Sequence, residues 1–110
     1  MSKPWRLTPQ AEESLIVLAF WTIESFGTQQ AERYEDELID RCDAISTGTV
    51  LSRSCAVLLG HGDTDLRYAR AGEHFVVFLD AAEQVVIVDF LHSRSDLPRH
   101  IAALDVLDKG

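Results

Sequence analysis

Along the 110-residue chain, apolar positions first alternate, then recur at helical spacing, then alternate again. Trp5 and Leu7 alternate with polar neighbours between Lys3 and Leu7, which predicts a short strand. Thr8-Pro9 supplies a helix start, because the threonine oxygen can accept from free backbone N–H groups and proline at the first helical position forfeits no hydrogen bond. From Ala11 onward Leu15, Leu18, Ala19, Trp21 (or Thr22), Ile23 and Phe26 fall at helical spacing. Gly27 ends this helix by tolerating a left-handed cap, and Thr28 is expected to cap a second one. There Ala31, Tyr34, Leu38, Cys42 and Ile45 form the apolar stripe. So short a connection predicts an antiparallel helical hairpin.

Between Ser46 and Asp65 the pattern lapses into glycines and small polar residues around Ala56-Val-Leu-Leu59, which reads as a long connection with one helical turn. Strands follow at Leu66 to Ala71 and His74 to Leu79, joined by a tight turn at Gly72-Glu73, and then at Val85 to Leu91 after a loop over Asp80 to Gln84. Strict parity puts Val86, Val88 and Phe90 on one face of the last strand, and Val85, Ile87, Asp89 and Leu91 on the other. Both faces are largely apolar, so the hairpin covers one and the other needs its own cover. A terminal helix over Arg99 to Asp108, with Ile101, Leu104 and Leu107 at helical spacing, provides part of it. Any surplus is an exposed apolar groove of the kind that receives a partner. The expected fold is α+β in one domain over residues 1–110. It comprises an N-terminal strand, an antiparallel helical hairpin on a mainly antiparallel four-stranded sheet, and a short C-terminal helix.

Composition narrows the function classes. Eighteen acids against ten bases give a net charge of −8, which repels phosphate and argues against direct nucleic-acid binding. The acids concentrate between Gln29 and Ala44, whereas Arg53, Arg67, Arg70, Arg94 and Arg99 all lie in the second half. No apolar run approaches the ~20 residues of a membrane span, and the N-terminus has no signal-peptide pattern, so a cytoplasmic location is expected. Cys42 and Cys55 lack disulfide-framework or metal spacing, and His61 and His100 have no partner spacing that points to a metal. No cofactor is implied.

Four motifs in order carry a resemblance. They are Leu7-Thr8-Pro9-Gln10-Ala11-Glu12, Phe26-Gly-Thr-Gln-Gln-Ala-Glu-Arg-Tyr34, Gly72-Glu-His-Phe-Val-Val-Phe78, and Leu91-His92-Ser93-Arg94-Ser95-Asp96. Together they make the chain similar to the RelE/ParE toxin superfamily, and to its ParE branch most closely. The resemblance covers about 5–45 and 66–100. It implies the toxin of a type II toxin–antitoxin module, a non-catalytic inhibitor of DNA gyrase. The partner implied is a ParD-like antitoxin with a ribbon-helix-helix end, whose tail folds along the toxin in a hetero-oligomer. Val85, Ile87, Leu91, Ile101 and Leu104 are the candidates for the antitoxin groove.

Arg67, Arg70, His92, Arg94 and Asp96 are the candidates for contact with the target. Each has a structural alternative: Asp96 can cap the terminal helix, and an Asp–Arg pair can fix the strand-to-helix corner. His74, Trp5, Trp21 and Tyr34 read as core. The related RelE branch cleaves messenger RNA on the ribosome, which needs a base, a cation for the phosphate and an acid. Here lysine occurs only at positions 3 and 109, no tyrosine follows Tyr68, and Phe75 stands where those enzymes commonly carry a catalytic arginine. A ribonuclease would have to be built from Arg67, Arg70, His92 and Arg94. A third alternative is a divergent member that binds its antitoxin but has changed its target.

Overall fold

In the computed structural model, residues 3–60, 62 and 64–109 are described, with side chains as far as residue 106. A five-stranded sheet runs in the order β1-β5-β4-β3-β2. Its strands are β1 (Trp5–Leu7), β2 (Arg53–Ser54), β3 (Leu66–Ala71), β4 (His74–Asp80) and β5 (Val85–His92). The expected four strands are thus joined by a fifth, β2, in the middle connection. Two residues are too few to leave a periodic signal. β1 lies parallel to β5, and the other neighbours are antiparallel.

Helices α1 (Pro9–Phe26) and α2 (Thr28–Thr47) form the hairpin. Thr8 caps α1 as its chemistry predicts, accepting from the Ala11 N–H at 3.1 Å. Thr28 does not cap α2: it is the first helical residue, and Gly27 is the cap, with φ 90° and no side-chain bond. A one-residue link leaves no room for separate end and start signals. The single helical turn expected in the middle connection is α3 (Ala56–Leu59), and α4 (Leu97–Lys109) closes the chain.

Two cores result, one on each face of the sheet. Against the hairpin, Leu38, Cys42 and Ile45 meet Ala69, Ala71, Val76, Phe78, Val85, Ile87 and Phe90. Against α3 and α4, Cys55, Leu66, Val77 and Leu91 meet Ile101 and Leu104. The parity expected for β5 fails at its far end. Val77 pairs with Asp89 but Phe78 pairs with Ile87, so Val88 is an extra residue opposite β4. This bulge reverses the faces beyond it, turning Phe90 to the hairpin and Leu91 to α4.

The second face of the sheet is therefore covered by the chain itself. Val85, Ile87, Leu91, Ile101 and Leu104, expected to line a groove, are all buried. Leu107, expected to contribute beside them, has its side chain outside the described residues. The exposed apolar surface lies instead on α1. Only Ala11 and Thr22 of that helix are buried, with Leu15 and Leu18 packed at the edge of the core. Trp21, Ile23 and Phe26, placed in the buried stripe by spacing, face outward with Ile16, Val17 and Phe20. Residues 15–23 are apolar nearly all round the helix, so periodicity alone does not choose the covered side.

Candidate functional site

The corner where α1, α2, the β3–β4 turn and the end of β5 converge begins with Tyr34. This residue packs at the edge of the hairpin core and directs its hydroxyl at the turn. The oxygen accepts from the Glu73 N–H at 2.9 Å and lies 3.2 Å from the Ala71 carbonyl and 2.6 Å from His74 Nδ1. Gly72 makes the turn possible in two ways. Its φ is 59°, and a Cβ there would fall 2.7 Å from Tyr34 Cε1, closer than side chains approach. Burial pushes the Tyr34 hydroxyl above its usual range, so it stays protonated.

His74 and His92 are cross-strand partners on β4 and β5, with ring centroids 5.0 Å apart at 80°. Burial first, and the neighbouring His92 second, push His74 down to about 4, so its imidazole is neutral near pH 7. It is buried and hydrogen-bonded, as the structural reading of this histidine expects. His92 is half-buried. Its Nδ1 accepts the Arg94 backbone N–H at 3.0 Å, which leaves Nε2 as the protonated nitrogen of the neutral ring. Its carbonyl accepts from the Ser95 N–H at 3.0 Å and the Ser95 hydroxyl at 2.6 Å. The chain is thereby turned out of β5 toward α4.

Two clefts meet at these histidines. One of about 510 Å³ is walled by Trp21, Phe26, Tyr34, His74, His92 and Arg94. The other, about 490 Å³, shares Trp21, His74 and His92 and continues along α1 past Val17 and Ser14 to Gln10. Beneath its floor, buried Asp89 accepts from Gln10 Nε2 at 2.9 Å, Ser14 Oγ at 2.5 Å and the Phe90 N–H at 2.8 Å. These bonds tie α1 to the bulged part of β5. The arrangement suits an apolar side chain of a partner, with His92 Nε2–H and the Arg94 guanidinium as donors at the rim.

Of the five residues expected to contact a target, only His92 and Arg94 share this cleft. Arg70 is exposed on the opposite face of the sheet, 5.1 Å over the Phe75 ring and bonded through Nε–H to the Gly72 carbonyl. Arg67 lies at the other end of β3, donating to Ser52 Oγ and Ser52 O at 2.9 and 3.1 Å. Asp96 sits at the start of α4, where its carbonyl accepts from the His100 N–H at 3.0 Å and its carboxylate from the Arg99 N–H at 3.4 Å. Among the described residues no ion pair joins it to Arg94; the Lys3–Asp80 ion pair lies elsewhere, at the far end of β4. Trp21, Phe26, Gln30 and Glu73 also line the cleft, although the sequence did not single them out for contact. The signal was present, because Phe26, Tyr34 and His74 belong to two of the motifs, and those motifs meet here.

Buried Cys42 and Cys55 are both raised to about 12, chiefly by desolvation, so neither is a thiolate near neutral pH. Among the described residues no group of histidine, cysteine and acidic side chains could hold a metal ion. His61 lies outside those residues. No described helix is long and apolar enough to cross a membrane.

A strand, a helical hairpin, an antiparallel meander and a terminal helix around this corner define the RelE/ParE-like class of toxin fold. The profile of the ParE toxin of type II toxin–antitoxin system, parDE, matches residues 5–97. The chain belongs to that ParE toxin family. Among solved structures, a chain described as the chromosomal ParDE TA system from P. aeruginosa superposes with a TM-score of 0.65. It covers 83% of this chain and 96% of its own, at 8% identity, which speaks for the fold alone. No curated protein matches the sequence.

Proposed function

We propose that this ParE-family chain arrests growth by inhibiting DNA gyrase without catalysis, and that a ParD-type antitoxin neutralises it by folding along its apolar surface. The family match across residues 5–97 carries the reading. The placement of the basic groups supports the non-catalytic part. A ribonuclease needs a proton acceptor, a cation for the phosphate and a proton donor around one point. Arg67 is instead bound to Ser52, Arg70 stacks on Phe75 across the sheet, and His74 is buried against Tyr34. Beside the neutral, buried His74, the cleft holds His92 and Arg94 as its basic groups, and Trp21, Phe26 and Tyr34 make much of its wall. Such a cleft favours a protein side chain over an RNA backbone.

The test runs a gyrase supercoiling assay beside ribosome-programmed messenger cleavage on one preparation. Lost supercoiling with intact message is the expected result. Cleaved message with normal supercoiling would overturn the reading and assign His92 and Arg94 to an RNA-cleaving site.

A further inference from the structure

The helical hairpin is the most acidic and the most exposed apolar part of the molecule at once. Pro9–Thr47 holds nine acids against Arg33 and Arg41, which is −7 of the chain's −8. On α1, Ile16, Val17, Phe20, Trp21, Ile23 and Phe26 are exposed, Phe20 by 66% and Trp21 by 56%. That surface runs without interruption into the clefts beside His92 through Val17, Trp21 and Phe26. The only charged residues of α1 are Glu12, Glu13 and Glu24. An apolar strip is therefore bordered on its own helix by carboxylates alone, and α2 adds six acids against Arg33 and Arg41.

We infer that the exposed face of α1 docks a cationic amphipathic helix, one with an apolar stripe flanked by lysine or arginine, contributed by the antitoxin. This rests on the toxin–antitoxin reading and adds the chemistry of the partner. Burying the strip brings the partner's flanks within a Debye length, about 8 Å at physiological salt, of the hairpin carboxylates. An acidic segment, or a second copy of this chain presenting the same −7 hairpin, meets repulsion there, whereas lysines and arginines gain attraction and a faster approach. Residues 16 to 26 span about 15 Å of helix, which matches roughly three turns of a partner laid along them.

Two synthetic helical peptides of about 14 residues, roughly four turns, test this by titration calorimetry on the full chain. Both carry the same leucine and phenylalanine stripe; one is flanked by lysines and the other by glutamates. The lysine peptide is expected to bind at least about tenfold more tightly and to lose most of that advantage between roughly 50 and 300 mM salt. Phe20→Ser, an exposed and charge-neutral change, is expected to weaken it by roughly tenfold. Equal affinity of the two peptides, undiminished binding to Phe20→Ser, or a dimer of the free chain that Phe20→Ser dissolves would each overturn the inference. Growth rescue by an adjacent-frame product whose toxin-bound segment is acidic would reject this surface chemistry while leaving the antitoxin reading intact. Absence of any rescuing partner would instead remove that reading.

Discussion

Tyr34 fills the space that any side chain at Gly72 would need: a Cβ there would lie 2.7 Å from Tyr34 Cε1 and 3.0 Å from its hydroxyl oxygen. Two motifs nearly forty residues apart in sequence are thus halves of one contact. The same hydroxyl then reaches Ala71, Glu73 and His74, so one phenol fixes the turn, and the turn fixes the histidine at the cleft.

Gly72→Ala is therefore expected to destabilise the protein by about 2 kcal/mol or more, combining a left-handed backbone penalty with displacement of the Tyr34 ring. Urea denaturation of the single variants and of Gly72→Ala with Tyr34→Ala checks it. The double variant should be less destabilised than the sum of the singles, because without the Tyr34 ring the Cβ at position 72 has nothing to strike.

Stability should fall in mild acid. The unfolded His74 titrates near 6.5 and the folded one at about 4, so between these values the unfolded chain binds a proton that the native chain refuses. The contribution is complete above about pH 6.5 and is lost as pH falls toward 4. At roughly 1.4 kcal/mol per unit it amounts to about 3 kcal/mol. Denaturation midpoints across this window, compared with those of His74→Gln, measure it. A slope unchanged in the variant would assign the effect to other groups.

Removing the Asp89 carboxylate should be costly, since it leaves the buried Phe90 N–H and the half-buried Ser14 hydroxyl without their acceptor and frees Gln10 at the surface. Asp89→Ala is expected to lose about 2–4 kcal/mol. Pairing it with Ser14→Ala should recover part of that loss, read again by denaturation.

His92→Ala with Arg94→Ala is expected to leave the far-ultraviolet circular dichroism spectrum unchanged, because neither side chain belongs to a buried core. Growth arrest on induction should weaken, by about tenfold in effective target affinity if the pair contributes roughly 1.4 kcal/mol. Undiminished arrest by a folded double variant would remove the pair from target contact.

Much of this architecture is legible from periodicity and punctuation. Thr8-Pro9, Gly27 and Gly72-Glu73 mark real boundaries because each has a local backbone reason to be there. What escapes is long-range. The extra residue at Val88 carries no sequence mark, yet it decides that Phe90 faces the hairpin and Leu91 faces α4. The outward face of α1 was equally hidden, since apolar residues nearly all round a helix do not say which side the sheet takes. The clustering of His92 with Arg94 was readable from their proximity in the chain. The separation of Arg67 from Arg70 was readable too, since residues three apart in a regular strand face opposite sides; that neither reaches the cleft required the fold.

The parallel pairing of β1 with β5 has a consequence for synthesis. Trp5, Arg6 and Leu7 find their partners in Val85, Val86 and Ile87, and α1 is held to the sheet through Asp89. β1 and α1 thus lack their main partner in the sheet until β5 has been made. The cleft beside His92 comes into being only once β5 has been made and paired, so a nascent chain that stops short of it carries the hairpin without the wall that His74 and His92 share.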